Sequence, residues 1–248
     1  MRRSGLDKIF LVSIGIGFLV ICFIVLVLTL SDLMTEYKLD HEIDKIQTII
    51  NQDKMDEKEL NKLLNREIMK GSYQKVEKAY KENVGNIISK VKDIDEFNNS
   101  IDLINAFKSE NLENDGPDFE ETKKRIEDYK KKYEEKNKEL IKIREDETLW
   151  SYLPEKKSSK YNKQYIKENI KKVFRTKYLR NILDNFSKTK KILDQAEKMI
   201  DFLVKNKEDW QVKEDNAEFK TDSLEDEYQK LLKKWEELIK KKEVKTGE

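Results

Sequence analysis

The chain has 248 residues, with 51 basic and 50 acidic side chains, a formal net charge of +1, one His and one Cys. This balance leaves no excess of basic charge to release counterions from nucleic acid, so nucleic acid is excluded as a partner. One His and one Cys also remove zinc sites built from those residues, and Ser–His or Cys–His nucleophile devices. No catalytic residue, cofactor site or metal site is assigned, and the chain is expected not to be an enzyme.

Residues 1–8 carry Arg2, Arg3 and Lys8 against a single Asp7. A run of 22 uncharged residues follows, Ile9 to Leu30. As a helix it is roughly 33 Å long, enough to cross a hydrocarbon core of about 30 Å. A cleaved secretory signal has a shorter apolar stretch, about 7–15 residues, and a small-residue cleavage site. The run exceeds that length and no such site follows it, so residues 9–30 are read as a retained membrane anchor. Cys22 follows Ile21 in mid-run, where it does not fit lipid attachment. Ser13 and Gly17 form a small-xxx-small pair of the kind that lets two spans approach closely. Asp32, Glu36, Asp40 and Glu42 follow the run, with Lys38 among them. The positive-inside rule then makes residues 1–8 a cytoplasmic tail and residues 31–248 an extracytoplasmic domain.

That domain holds 48 basic and 49 acidic side chains. The whole chain has only 7 Gly and 2 Pro, with 10 Phe, 10 Tyr and 3 Trp to build a core. The pattern predicts helices throughout. Leu39, Ile43, Ile46 and Ile50 recur at helical spacing, which predicts a stem that buries one face against a neighbour. His41 sits in that stem between Asp40 and Glu42 and is read as an ordinary exposed residue. Asp56-x-x-Glu59 has the form of a capping box opening a helix to about Met69, with Gly71-Ser72 interrupting. Tyr73, Val76, Tyr80, Val84, Ile87, Val91 and Ile94 continue the helical period.

Asp115-Gly116-Pro117 is a turn signal, and Asp118-x-x-Glu121 is expected to cap the next helix, running to about Leu149. An EF-hand register over Asn111, Glu113, Asp115 and Gly116 puts Thr122 where a bidentate Glu is needed, so calcium is not assigned. Phe119, Thr122, Ile126, Tyr129, Tyr133, Lys136, Leu140, Ile143, Glu147 and Trp150 fall at strict 3-4 spacing, as in a coiled-coil-like hairpin or elongated bundle. Pro154 and the polar residues to Lys160 mark a hinge. Helices are expected over 162–183 and from Phe186 to Leu203, then a small hairpin or ordered loop around Trp210-Gln-Val212 and Ala217-Glu-Phe219. A last helix, capped by Asp222-x-x-Glu225, carries Leu224, Tyr228, Leu231, Trp235 and Leu238.

The segments SENLENDGPDFEETKK (Ser109–Lys124), DFLVKNKEDW (Asp201–Trp210) and YQKVEKAYK (Tyr73–Lys81) resemble an uncharacterised group of membrane-anchored helical proteins from low-GC Gram-positive bacteria. The resemblance implies a cell-envelope location and no assigned activity, and it carries over no functional residues. The fold expected is all-α: an N-terminal transmembrane helix and an elongated bundle with long coiled-coil-like helices. Two functions are carried forward. The first is a non-enzymatic scaffold or interaction component of the envelope, binding another envelope protein or self-associating. The second is an extracytoplasmic module that holds a small molecule or envelope polymer between helices. Tyr129, Tyr133, Trp150, Trp210 and Trp235 are the aromatic candidates for partner or ligand contacts.

Overall fold

A computed structural model describes residues 4–103, 105–145, 160–213 and 216–243. These residues are mostly helical, with eight helices and one two-stranded hairpin among them. The first helix, α1 (Ser4–Ile50), is 47 residues long and carries the apolar run and the stem without interruption. At about 1.5 Å per residue it extends roughly 70 Å. Its apolar part, from Phe18 onward, is not covered by any other element. Such a helix is long and apolar enough to be a membrane span or a signal sequence. The stem behaves differently: Leu39, Ile43, Ile46 and Ile50 are all buried.

Two tiers of helices continue from the stem. In the lower tier α2 (Glu57–Asn65), the first half of α3 (Ser72–Ser100) and α6 (Lys160–Val173) surround residues 39–50 of α1. Contacts fix the directions. Tyr73 lies within electrostatic reach of Glu36 while Tyr80 reaches Gln47, and Tyr165 reaches Asp40 while Asn169 reaches Gln47, so α3 and α6 run parallel to α1. Lys92 of α3 pairs with Glu57 and Lys81 reaches the Arg66 carbonyl, so α2 runs the other way.

The upper tier is formed by the second half of α3, α5 (Glu120–Arg144), α7 (Lys177–Lys205) and α8 (Asp222–Glu243). Lys136 faces Asp93 and Lys90 faces Glu139, while Lys130 faces Asp194 and Glu197 and Glu134 faces Lys190, so α5 is antiparallel to both α3 and α7. Helix α3 is therefore a spine shared by the tiers. Short α4 (Ser109–Asn114) and the hairpin β1 (Trp210–Lys213) with β2 (Asn216–Phe219) close the far end, with Trp210 opposite Phe219.

The 3-4 stripe on α5 is spent on this packing. Phe119, Thr122, Ile126, Tyr133, Leu140 and Ile143 are buried, and Tyr129 and Lys136 are half-buried. Glu147, Trp150 and Pro154 lie outside the described residues, and with them the expected hinge.

Two helix limits simply shift, with α5 ending at Arg144 rather than near Leu149 and α7 (Lys177–Lys205) running unbroken through 183–186. Four other boundaries depart from expectation, each for a stated contact. Helix α2 ends at Asn65, not near Met69, because the Glu77 carboxylate accepts the backbone N–H groups of Ile68 and Met69 (3.2 and 2.9 Å) that would have continued it. The expected helix over 162–183 is divided at 174–176. There the Lys177 N–H donates to Asn51 Oδ1 (3.0 Å), starting α7 with a group from the end of the stem. Asp56 does cap α2, accepting from the Glu59 N–H at 3.0 Å. At α5 the expected cap is displaced: Asp115, not Asp118, accepts from the N–H groups of Glu121 and Thr122 (3.1 and 2.8 Å). Phe119 adopts a left-handed conformation (φ 52°) beneath Trp210, which turns the chain so that Asp115 lies over the helix start. Asp118 instead meets Lys207 on the surface. For α8 the last boundary also moves, since Thr221 rather than Asp222 faces the Leu224 N–H.

The exchanged cap gives a direct expectation. Asp115→Ala lowers stability by about 1 kcal/mol or more, the usual worth of a helix cap. Asp118→Ala, which removes only an exposed, solvent-screened ion pair, has a much smaller effect. Thermal unfolding of the two variants, side by side, ranks them.

Candidate functional site at the base of the domain

Where α1 enters the domain, four charged side chains meet. Glu42 lies on the stem, Arg66 follows α2, and Glu77 and Lys81 stand one turn apart on α3. Glu42 is 1% and Lys81 is 5% exposed. Lys81 Nζ donates to Glu42 Oε1 (2.9 Å), Glu77 Oε1 (2.8 Å) and the Arg66 carbonyl (2.7 Å). An ammonium has three donors, and all three are used. Arg66 Nε donates to Glu42 Oε1 (2.8 Å), and its Nη2 bonds the other Glu42 oxygen, so the carboxylate is held in a fork. Glu77 completes the network by accepting the Ile68 and Met69 N–H groups.

Burial alone pushes the Glu42 carboxyl up, but the bonds from Arg66 and Lys81 outweigh it and hold the group below its ordinary value of 4.5. The arrangement is closed: each charge is paired and hydrogen-bonded, which is the condition for carrying charges inside a protein. Chemically it is a clasp joining stem, α2 and α3, and its Arg66, Glu77 and Lys81 also form part of the wall of an adjoining cleft.

A second set of contacts lies closer to the apolar part of α1. The hydroxyls of Tyr161 and Tyr165, on the first turns of α6, donate to Glu36 and Asp40, and their rings lie 6.3 Å apart. Tyr37 stacks on His41 of the same helix at 6.4 Å. Tyr73, on the first turn of α3, is within electrostatic reach of Glu36 and Asp32, and burial with those charges raises its pKa. Burial and the Asp40 contact likewise push Tyr165 up.

Three clefts adjoin these contacts. One of about 380 Å³ is lined by residues such as Asn61, Asn65, Gln74 and Lys78 beside the clasp. Two more, of about 460 and 430 Å³, follow the groove between the stem and α6, past Asp44, Gln164, Lys172 and Arg175. Their walls are mainly charged and amide side chains. Among the described residues, no group of three His, Cys, Asp or Glu side chains is placed to hold a metal ion. In the rejected calcium register Asp115 is engaged by backbone N–H groups, and Asn111 Nδ2 donates to the Ala106 carbonyl (2.9 Å) and Thr122 Oγ1 (3.1 Å).

The aromatic candidates are not drawn together. Tyr133 is buried and stacks on Phe186 at 4.3 Å. Tyr129 donates to the Ser100 carbonyl at 3.2 Å. Trp210 donates to the Leu203 carbonyl at 2.9 Å and stacks on Phe119. Trp235 is buried, edge-on to Phe107 at 5.1 Å. Trp150 lies outside the described residues. The clasp itself has no motif in the sequence. Glu77 and Lys81 have the spacing of any solvated helix pair, and their one signal is position, each a single residue past an apolar stripe residue, Val76 or Tyr80.

No protein family, characterised protein or solved structure matches this chain.

Proposed function

We propose that the chain is a single-pass membrane protein of the cell envelope, with residues 1–8 cytoplasmic and residues 31–248 extracytoplasmic. It acts without chemistry of its own, as a scaffold or interaction component that binds another envelope protein through its helical surface. The observation that carries this reading is α1. One unbroken helix has an uncovered apolar part at one end, and at the other it is clasped into a folded domain by buried ion pairs. That construction suits a domain held at a fixed attitude to a membrane. The bias of Arg2, Arg3 and Lys8 before the run, against Asp32, Glu36 and Asp40 after it, supports the orientation.

The second reading, a module holding a ligand between helices, would favour a concave apolar pocket with a few convergent polar groups. The clefts beside the clasp and along α6 are open grooves flanked by charged and amide side chains, not enclosed apolar pockets, which favours the interaction role. Self-association through the α5 stripe is also less favoured, because the stripe residues Phe119, Thr122, Ile126, Tyr133, Leu140 and Ile143 are buried within one chain, where α5 packs on α3 and α7.

The test is protease accessibility of a C-terminally tagged chain on intact cells with the wall removed. The expected result is loss of the tag while a cytoplasmic control survives. Survival of the tag until the membrane is opened would reverse the orientation and make the domain a cytoplasmic scaffold.

A further inference from the structure

Large apolar side chains that remain exposed beyond the membrane-length run are unevenly placed. Six are found among the described residues: Leu33, Met34, Tyr37, Ile68, Ile141 and Tyr161. All but Ile141 belong to the end of the domain from which the apolar run emerges, and those five are between 42% and 67% exposed. Leu33, Met34 and Tyr37 lie on α1 itself, one helical face apart by three and four residues, directly continuing the face of Leu30. Tyr161 is bonded to Glu36 and so stands at the same level on α6. Ile68 lies in the loop that the Glu77 carboxylate folds back beside the start of α3.

The distances along α1 are short. Glu36 and Tyr37 are only about 9–11 Å past Leu30 along the axis, at 1.5 Å per residue. The polar layer of a bilayer occupies roughly 5–8 Å on each side of the hydrocarbon core. Leu33 and Met34 therefore fall inside that layer, and the Tyr37–Tyr161 level lies just beyond its outer edge for an upright helix. An ordinary tilt brings it lower. Tyrosine suits this depth, with an apolar ring and a hydroxyl that stays hydrogen-bonded. Both hydroxyls on α6 are indeed engaged, with Glu36 and Asp40.

We infer that the base of the domain is a lipid-facing surface: Leu33, Met34, Tyr37, Ile68 and Tyr161 rest in the headgroup layer of the membrane that α1 crosses. The domain is seated on the bilayer, not held off it on a free stalk. The occupant follows from continuity, because this surface is an extension of the apolar face that enters the membrane. The inference rests on the anchored reading of α1, but not on which side of the membrane the domain faces. It also accounts for an otherwise costly exposure of apolar side chains in a chain so rich in charge.

Depth measurement on the full chain tests it. Cys22 is the only cysteine, so Cys22→Ser gives a background for single spin labels. Labels are placed by Leu26→Cys in the run, Ile68→Cys and Tyr161→Cys at the base, and Lys207→Cys at the far end. The chain is reconstituted at one copy per phosphatidylcholine nanodisc, and collision with oxygen is compared with collision with a water-soluble nickel chelate. The expected result is a loss of nickel accessibility and a gain of oxygen accessibility at 68 and 161, relative to 207. If 68 and 161 match 207 while 26 reads as lipid, the seated base is overturned and the anchor stands. If 26 reads as water, both are overturned. Protection at 68 and 161 that develops only with several copies per disc assigns the surface to a second copy and overturns the lipid proposal.

Discussion

Lys81→Met lowers the stability of the domain by about 3–5 kcal/mol, the cost of removing one partner from a buried ion pair. The methionine fills the space, but Glu42 and Glu77 are left facing each other with one cation fewer between them. Arg66 still holds Glu42, and the Ile68 and Met69 N–H groups still hold Glu77, so the loss stops short of unfolding each contact. Arg66 is partly exposed and its own contribution is correspondingly smaller. Adding Glu42→Gln to Lys81→Met costs less than the sum of the two single changes, because each removes the same buried contact.

The pH dependence has a definite sign. The folded state holds the Glu42 carboxyl below its ordinary value, so the unfolded state binds more protons in that range. The stabilisation is full above about pH 4.5 and is lost as pH falls through the lower folded value. Asp115, held low by its bonds from Thr122 and Glu121 despite burial, acts in the same direction. Lys81→Met moves the acid limb to higher pH, because Glu42 loses one of the cations that hold it down. Thermal unfolding of the full chain in mild detergent between pH 3 and 7 checks both statements. An acid limb unchanged by the substitution would show that the clasp contributes nothing to it.

Phe186→Ala has an effect of similar size. Its ring is buried between Tyr133 (4.3 Å, stacked) and Phe97 (6.4 Å, edge-on), and so joins α7 to α5 and α3. Truncation leaves a cavity there and costs about 3–5 kcal/mol. Because α3 is packed in both tiers, the loss is shared: amide exchange accelerates at 76–84 in the lower tier as well as at 185–203. Acceleration confined to the upper tier would show that the tiers unfold separately.

Much of this architecture is legible in periodicity. The stem stripe of Leu39, Ile43, Ile46 and Ile50, the α3 stripe and the 119–143 stripe all announce which face is buried. The partners of those faces are not legible, because helical spacing says that a face is covered and not by what. The misplaced boundaries share a cause as well. Asn51 begins α7 from 126 residues away, and Glu77 ends α2 from nine residues away, so no local motif contains either decision. Asp118 has the right spacing for a cap and loses to Asp115 because Phe119 turns left-handed under Trp210, a contact made across the fold. The clasp is the extreme case. A Glu and a Lys four residues apart carry the same text whether they face water or the stem and the loop after α2, and burial alone separates the two.

The unbroken course of α1 has a rotational consequence. Each residue of a helix advances the azimuth by about 100° as well as the height by about 1.5 Å. With no turn or glycine between Leu30 and the clasp at Glu42, the compass bearing of the domain is set by the bearing of the span. Under the proposed anchoring, a neighbour that grips one side of the apolar part of α1 therefore selects which flank of the domain it meets. Turning the span about its own axis would swing α5 and the distal hairpin through the same angle, like the hand of a clock on its arbor.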